Sequence, residues 1–241
     1  MTMVRPFVLA VVVSFLLVPV AAVAGGEAHL TTDKQRYSWR EDVRVLLTND
    51  GDETVTFRNP WKVVDRKNRM VAKFYWEDQT LDPGETREWT WDQFTTICGS
   101  DGTCSDVSRE HVEAGWYSAS VRTGGQRLET SFRIGRYFTV GFDGHPDDEF
   151  TVYAARHRLV RKMVREARSD DKNLIVSGTV GAAKGYNPDW SFTMRPGSLR
   201  VAEVFIEVCD ASPDHVEANV DEWRGERWCP WSSYVEKVGR P

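Results

Sequence analysis

Much of the usual vocabulary of catalysis is missing from this chain. There is no G-x-S-x-G, no H-E-x-x-H and no G-x-x-x-x-G-K-[ST], so neither an activated serine, a zinc-protease helix nor a phosphate cradle is announced. The histidines, at 29, 111, 145, 157 and 215, fall in different elements with no nucleophile beside them. The four cysteines include no C-x-x-C, which removes the signature of thiol–disulfide exchange. No basic tract dominates: 31 Lys+Arg stand against 36 Asp+Glu, a net charge of −5, and nucleic acid is excluded as the expected partner. Beyond residue 24 no stretch approaches the roughly 20 apolar residues that a membrane-spanning helix needs. Repeats and low-complexity segments are absent too. These absences leave a chain that binds rather than reacts, with another protein as the expected partner, carbohydrate as the alternative and no cofactor. A secreted hydrolase using two carboxylates stays open as a third class, because acids are plentiful.

The first residues set the compartment. Arg5 precedes an apolar run from Phe7 to Val20, interrupted by Pro19, and Ala22-Val23-Ala24 follows. A charged head, a short apolar stretch and a small-x-small site predict a cleaved secretory signal over 1–24 and a secreted or extracytoplasmic protein. Loss of Arg5 takes the net charge to −6. Export makes cysteine pairing legible, because disulfides persist outside the reducing cytosol. Cys98, Cys104, Cys209 and Cys229 allow three pairings. The pairing Cys98–Cys104 with Cys209–Cys229 keeps each bridge inside one predicted domain.

Two textures follow. From 25 to 135 the pattern has period two: Val43, Val45 and Leu47 share a face, as do Trp89 with Trp91, and Tyr117 with Ala119 and Val121. Turn signals separate these runs at Asn49-Asp50-Gly51, Asp82-Pro83-Gly84 and Gly124-Gly125. The expectation is an all-β, immunoglobulin-like sandwich. From 136 to 241 strands and helices interleave in a compact α+β domain. It reads as a hairpin around "DGHPDD", a helix over 156–168, buried strands in "NLIVSGTV" and "VAEVFIEVC", and a second helix over 213–223.

"VLLTNDGDETVTF" (45–57), "LDPGETREWTWDQ" (81–93) and "VEAGWYSASV" (112–121) resemble three landmarks of intracellular proteinase inhibitor (BsuPI-like) domains. The resemblance covers about residues 29–134 and implies an immunoglobulin-type sandwich. The inhibition it implies would run through loops 77–86 and 94–111. "YNPDWSF" (186–192), "FIEVCDASPDHVEANVDE" (205–222) and "RWCPWSS" (227–233) resemble a small secreted domain often labelled calmodulin-binding, over residues 136–238. That resemblance implies calcium or calmodulin as ligands of the second domain.

Candidate site residues group into three sets. Trp190, Trp223, Trp228 and Trp231 would form either a stacking platform or part of a stapled core. Pairing of Cys209 with Cys229 would close a loop of about 21 residues and stabilise by roughly 3 kcal/mol. The helix 156–168 carries Arg158, Arg161, Lys162 and Arg165, either as a binding surface or as a solvated face over the structural stripe Leu159, Val160, Met163, Val164 and Ala167. Asp210, Asp214, Glu217 and Asp221 are the candidate ligands for a hard cation such as calcium.

Overall fold

The computed structural model describes residues 28–75, 79–101, 103–124, 126–205 and 208–239. The expected signal segment and part of loop 77–86 lie outside the described residues. Chain order begins with β1 (Ala28–Thr32), β2 (Arg36–Ser38), β3 (Val43–Asn49), β4 (Val55–Asp65), β5 (Met70–Phe74) and β6 (Gln79–Leu81). It continues through β7 (Thr86–Trp91), β8 (Phe94–Cys98), β9 (Cys104–His111), β10 (Gly115–Thr123), β11 (Gln126–Phe142) and β12 (His145–Ala154). Next come α1 (His157–Ala167), β13 (Ile175–Ala182), β14 (Phe192–Met194) and β15 (Arg200–Ala202). Last are α2 (Pro213–Ala218), α3 (Val220–Trp223), β16 (Arg227–Trp228) and β17 (Ser233–Val238).

The period-two faces become the first core. A sheet of β1, β3 and β7 stacks on a long sheet in the order β12-β11-β10-β4-β5-β8-β9, to which β2, β6 and β17 also pair. Val43, Val45, Leu47 and Trp91 from the small sheet meet Trp61, Val63, Ala119 and Phe132 from the large one, all buried. Aromatic edges lock the two layers together: Trp89 lies 5.4 Å from Phe57, and Trp91 lies 5.9 Å from Tyr117. Segment 94–111, expected as a loop, is instead the β8–β9 hairpin, and Cys98–Cys104 bridges its tip.

The two domains share a strand. β11 pairs with β10 over its first half and with β12 and β17 over its second. Its even-numbered side chains feed two cores in turn: Leu128, Phe132 and Ile134 go into the sandwich, and Phe138, Val140 and Phe142 into the second core. The predicted boundary near Gly135 therefore falls inside one continuous strand. Gly135 is required there, because a Cβ would stand 2.5 Å from the Ala154 carbonyl oxygen and 2.6 Å from the Tyr153 ring.

Tyr153 ties the junction by donating its hydroxyl proton towards the carbonyls of Tyr37 (3.0 Å) and Arg133 (3.2 Å). Burial, then the neighbouring Tyr137, holds this hydroxyl well above the ordinary tyrosine range. A folded-state pKa raised above the unfolded one gives stability that is fully present below the unfolded value, near pH 10, and is lost as pH rises beyond it. Between pH 8 and pH 11, Tyr153→Phe should therefore lose about 1.4 kcal/mol less stability than the unmodified protein. Urea midpoints at the two pH values read this difference, and equal losses would remove Tyr153 from the alkaline transition.

In the second domain, α1 lays Leu159, Val160 and Met163 on the core, as its apolar stripe requires. Glu166, the lone acid of that helix, is buried and accepts hydrogen bonds from the backbone N–H groups of Asn173 (2.6 Å) and Leu174 (2.8 Å). Two expectations need correction. Among its described residues, "VAEVFIEVC" is strand only at Val201–Ala202, within β15, and Val204 beyond it is exposed. The reason is that β13 spends its pairing on three short partners in succession, at 175–177, 178–179 and 180–182. The helix over 213–223 is broken at Asn219, whose backbone is non-helical (φ −127°, ψ 32°) and whose amide donates to the His215 carbonyl.

Candidate functional site

The Cys209–Cys229 bridge explains the aromatic C-terminal motif. It fastens β16 to the end of the irregular segment, with the Cys229 N–H donating to the Cys209 carbonyl at 2.8 Å. Trp228 is fully buried, with its ring 5.3 Å from Phe192 and 5.4 Å from Phe150, and its indole N–H donates to the Ala211 carbonyl at 2.9 Å. It is core, which corrects its candidacy as a stacking surface. Trp190 and Trp223 are half-buried against the same core. Trp231 is exposed, and its backbone N–H is held by the Asp210 carboxylate at 2.8 Å. The four tryptophans therefore make no common platform.

The acidic set also fails to converge. Asp210 is committed to Trp231, the Glu217 carboxylate accepts from the Ser191 N–H at 2.9 Å, and Asp221 lies beyond the break at Asn219 beside Arg224. Asp214 alone meets other metal-ligating groups, His145 and Asp148, from the hairpin between β11 and β12.

The basic helix splits into two faces. Arg161 and Arg165 point to solvent. Arg158 and Lys162, one turn apart, line a cleft of about 1360 Å³ between the domains. The β4–β5 turn also lines it, with Arg66, Lys67 and Arg69, and the β8–β9 region contributes Thr95, Glu110 and His111. In all, eight lysines and arginines line the cleft against three acids, Asp65, Glu110 and Glu113. A positive cleft in a protein of negative net charge concentrates the field where low-dielectric walls surround it.

Local chemistry builds this surplus. Asp65 accepts from the N–H groups of Lys67 and Arg69, both at 2.9 Å, and pairs with the Arg69 guanidinium, so the turn is fixed while Arg66 and Lys67 project freely. Arg156 and Lys162 donate to the carbonyls of Leu199 and Val201. Those bonds anchor the two cations without neutralising them. Among the described residues no carboxylate pairs with Arg66, Lys67, Arg158 or Arg200. Arg156 and Arg158 also crowd the N-terminus of α1, which has no acid in its first turn and no side-chain cap. Cations at the positive end of a helix are unfavourable, and an anion in the cleft would relieve the arrangement.

One wall is aromatic. Arg133 stacks its guanidinium 3.7 Å from the centre of the Trp116 ring, and Trp116 is 42% exposed. Trp116 escaped the sequence reading, although alternation with Tyr117, Ala119 and Val121 already placed it on the outer face of its strand. The turn cations were missed as well, with "DRKNR" (65–69) as their signal.

No curated protein matches this chain. Among solved structures, a β-glucosidase from Erythrobacter marinus aligns at 15% identity, over 46% of this chain and 15% of its own, with TM-score 0.27. An alkylpurine DNA glycosylase from Pseudomonas fluorescens aligns at 16% identity, over 46% and 31%, with TM-score 0.27. The chain thus spans less than a third of either, and these likenesses carry no inference about fold or activity. Residues 135–240, from the middle of β11 onward, match the family model of the BP-74 N-terminal domain.

Proposed function

We propose that this is an exported, non-catalytic binding protein whose basic cleft docks an acidic segment of a partner protein. The observation that carries the reading is the cationic lining contributed by both domains, with Arg66 and Lys67 from the first and Arg158, Lys162 and Arg200 from the second. Guanidinium groups pair with carboxylates in a bidentate fork, and the exposed Trp116 and Met70 offer apolar contact beside them. Two disulfides fit an extracellular protein, and no helix among the described residues is long and apolar enough to cross a membrane.

The motifs at 45–57, 81–93 and 112–121, read from the sequence as resembling BsuPI-like inhibitors, are consistent with protein binding as the class of function. The disulfide-tipped hairpin β8–β9, expected to carry inhibition, forms one side of the same cleft. Capture of α1 by a calmodulin-like groove is a weaker reading, because the apolar stripe of α1 already covers the core. The test uses a fluorescein-labelled twelve-residue peptide of glutamate, aspartate and leucine. Its anisotropy should rise to saturation with the mature chain, and the affinity should fall about tenfold between 50 and 300 mM salt as screening sets in. Absence of saturable binding at low salt would overturn the reading.

A further inference from the structure

Away from the cleft, three guanidinium groups gather around Trp39, where the two domains meet. Arg40 and Arg136 both stack on the Trp39 indole, 4.2 and 3.7 Å from its ring centre. Arg40 follows β2, Arg136 lies in β11 and Arg168 ends α1. Burial holds the Arg136 guanidinium below the ordinary arginine range, and the charges of Arg40 and Arg168 push it in the same direction. Among the described residues no carboxylate pairs with any of the three. Glu41, next to Arg40, is taken by Lys34 and by the Ser38 N–H at 2.7 Å. A cation at the C-terminal end of a helix is favourable, which explains Arg168 alone. It does not explain the approach of two more cations without a counter-charge, where like charges repel.

A second observation is the way the loop after β2 is held. Arg40 has a left-handed backbone, φ 72°, a conformation unfavourable for any residue but glycine. Its N–H donates to the side-chain carbonyl of the fully buried Gln93 at 2.8 Å, and the Gln93 amide donates to the Ser38 carbonyl at 2.8 Å. The Trp39 indole is fixed in turn by donating to the Val112 carbonyl at 3.0 Å. Such strain persists only where its surroundings over-determine it, and it gathers at binding sites. Beside the ring, Ser38, Trp39, Arg136, Tyr137 and Gly239 line a recess of about 250 Å³. That is below the roughly 300 Å³ at which pockets for drug-sized ligands begin, so the occupant is small.

We propose that Arg40, Arg136 and Arg168 bind a tetrahedral oxyanion beside Trp39, the phosphate or sulfate group of a small ester. Planar guanidinium groups match such oxygens with paired hydrogen bonds, and one anion supplies the counter-charge that all three lack. Trp39 and Tyr137 offer apolar surface to the rest of the ester. None of these residues lines the basic cleft, so the site is independent of docking there.

Calorimetric titration of sodium phosphate into the mature chain, at neutral pH and constant ionic strength, tests this. Saturable one-site binding is expected, and Arg40→Gln and Arg136→Gln should each weaken it about tenfold, the scale of a lost hydrogen bond to a charged group. Arg158→Glu/Lys162→Glu, in the cleft, should stay within threefold. Arg40→Gly removes the backbone strain. It should weaken phosphate as Arg40→Gln does while the melting temperature of the phosphate-free protein holds or rises, whereas a merely structural Arg40 would lower that temperature and leave phosphate binding intact. Methyl phosphate and methyl sulfate serve as competitors, and the tighter of the two names the source of the group. The proposal is overturned by no saturable heat up to about 10 mM phosphate, or by failure of both esters to displace it. It is equally overturned if Arg40→Gln and Arg136→Gln, both folded by circular dichroism, bind within twofold of the parent protein.

Discussion

Trp228→Ala should lower stability by about 3–5 kcal/mol, while Trp231→Ala, three residues on, should change it by less than about 0.5 kcal/mol. The two rings flank the same Cys-Pro pair, yet one is fully buried and the other is 54% exposed. Removing the Trp228 indole opens a cavity among Phe142, Phe150 and Phe192. It also leaves the Ala211 carbonyl without its donor, and neither loss is recovered by relaxation in a close-packed core. For a chain of this length the melting temperature should fall by about 6–20 °C. Equal effects of the two substitutions would show that the motif acts through its outer face and not as core.

The second large effect is expected in the cleft. Reversing Arg158 and Lys162 together to glutamate places two negative groups in the cleft that Arg66 and Lys67 also line. It removes attraction for an acidic segment and adds repulsion, which is how charge complementarity discriminates between partners. Affinity for the acidic peptide should fall about a hundredfold, some 2.7 kcal/mol. Stability should fall by no more than about 1 kcal/mol, since the acid placed in the first turn of α1 offsets part of the loss of the Lys162 hydrogen bond to the Val201 carbonyl.

How much of this was legible in the sequence depends on the range of the interaction. Period-two alternation identified the buried faces of β3, β7 and β10, because a strand with one face on a core must repeat every second residue. The apolar stripe of α1 was readable for the same local reason. Where neighbours far along the chain decide, local reading stopped short. "VAEVFIEVC" has strand composition, but β13 pairs with only its first two residues, Val201 and Ala202. Acids at 214, 217 and 221 look helically spaced until Asn219 breaks the helix. His145 and Asp148 are 66 or more positions from Asp214, and only the fold brings them together. The cleft itself was half visible: the helix cations were marked, but their partition into cleft and solvent faces depends on where the β4–β5 turn packs.

That partition provides the most direct measurement. Arg158→Glu/Lys162→Glu and Arg161→Glu/Arg165→Glu change net charge identically on the same helix, so anisotropy titration of the acidic peptide separates site from bulk electrostatics. The cleft pair should lose about a hundredfold in affinity and the solvent pair less than threefold, with only weak long-range screening left to act on it. Equal losses for the two pairs would contradict docking in the cleft and reduce the binding to net charge.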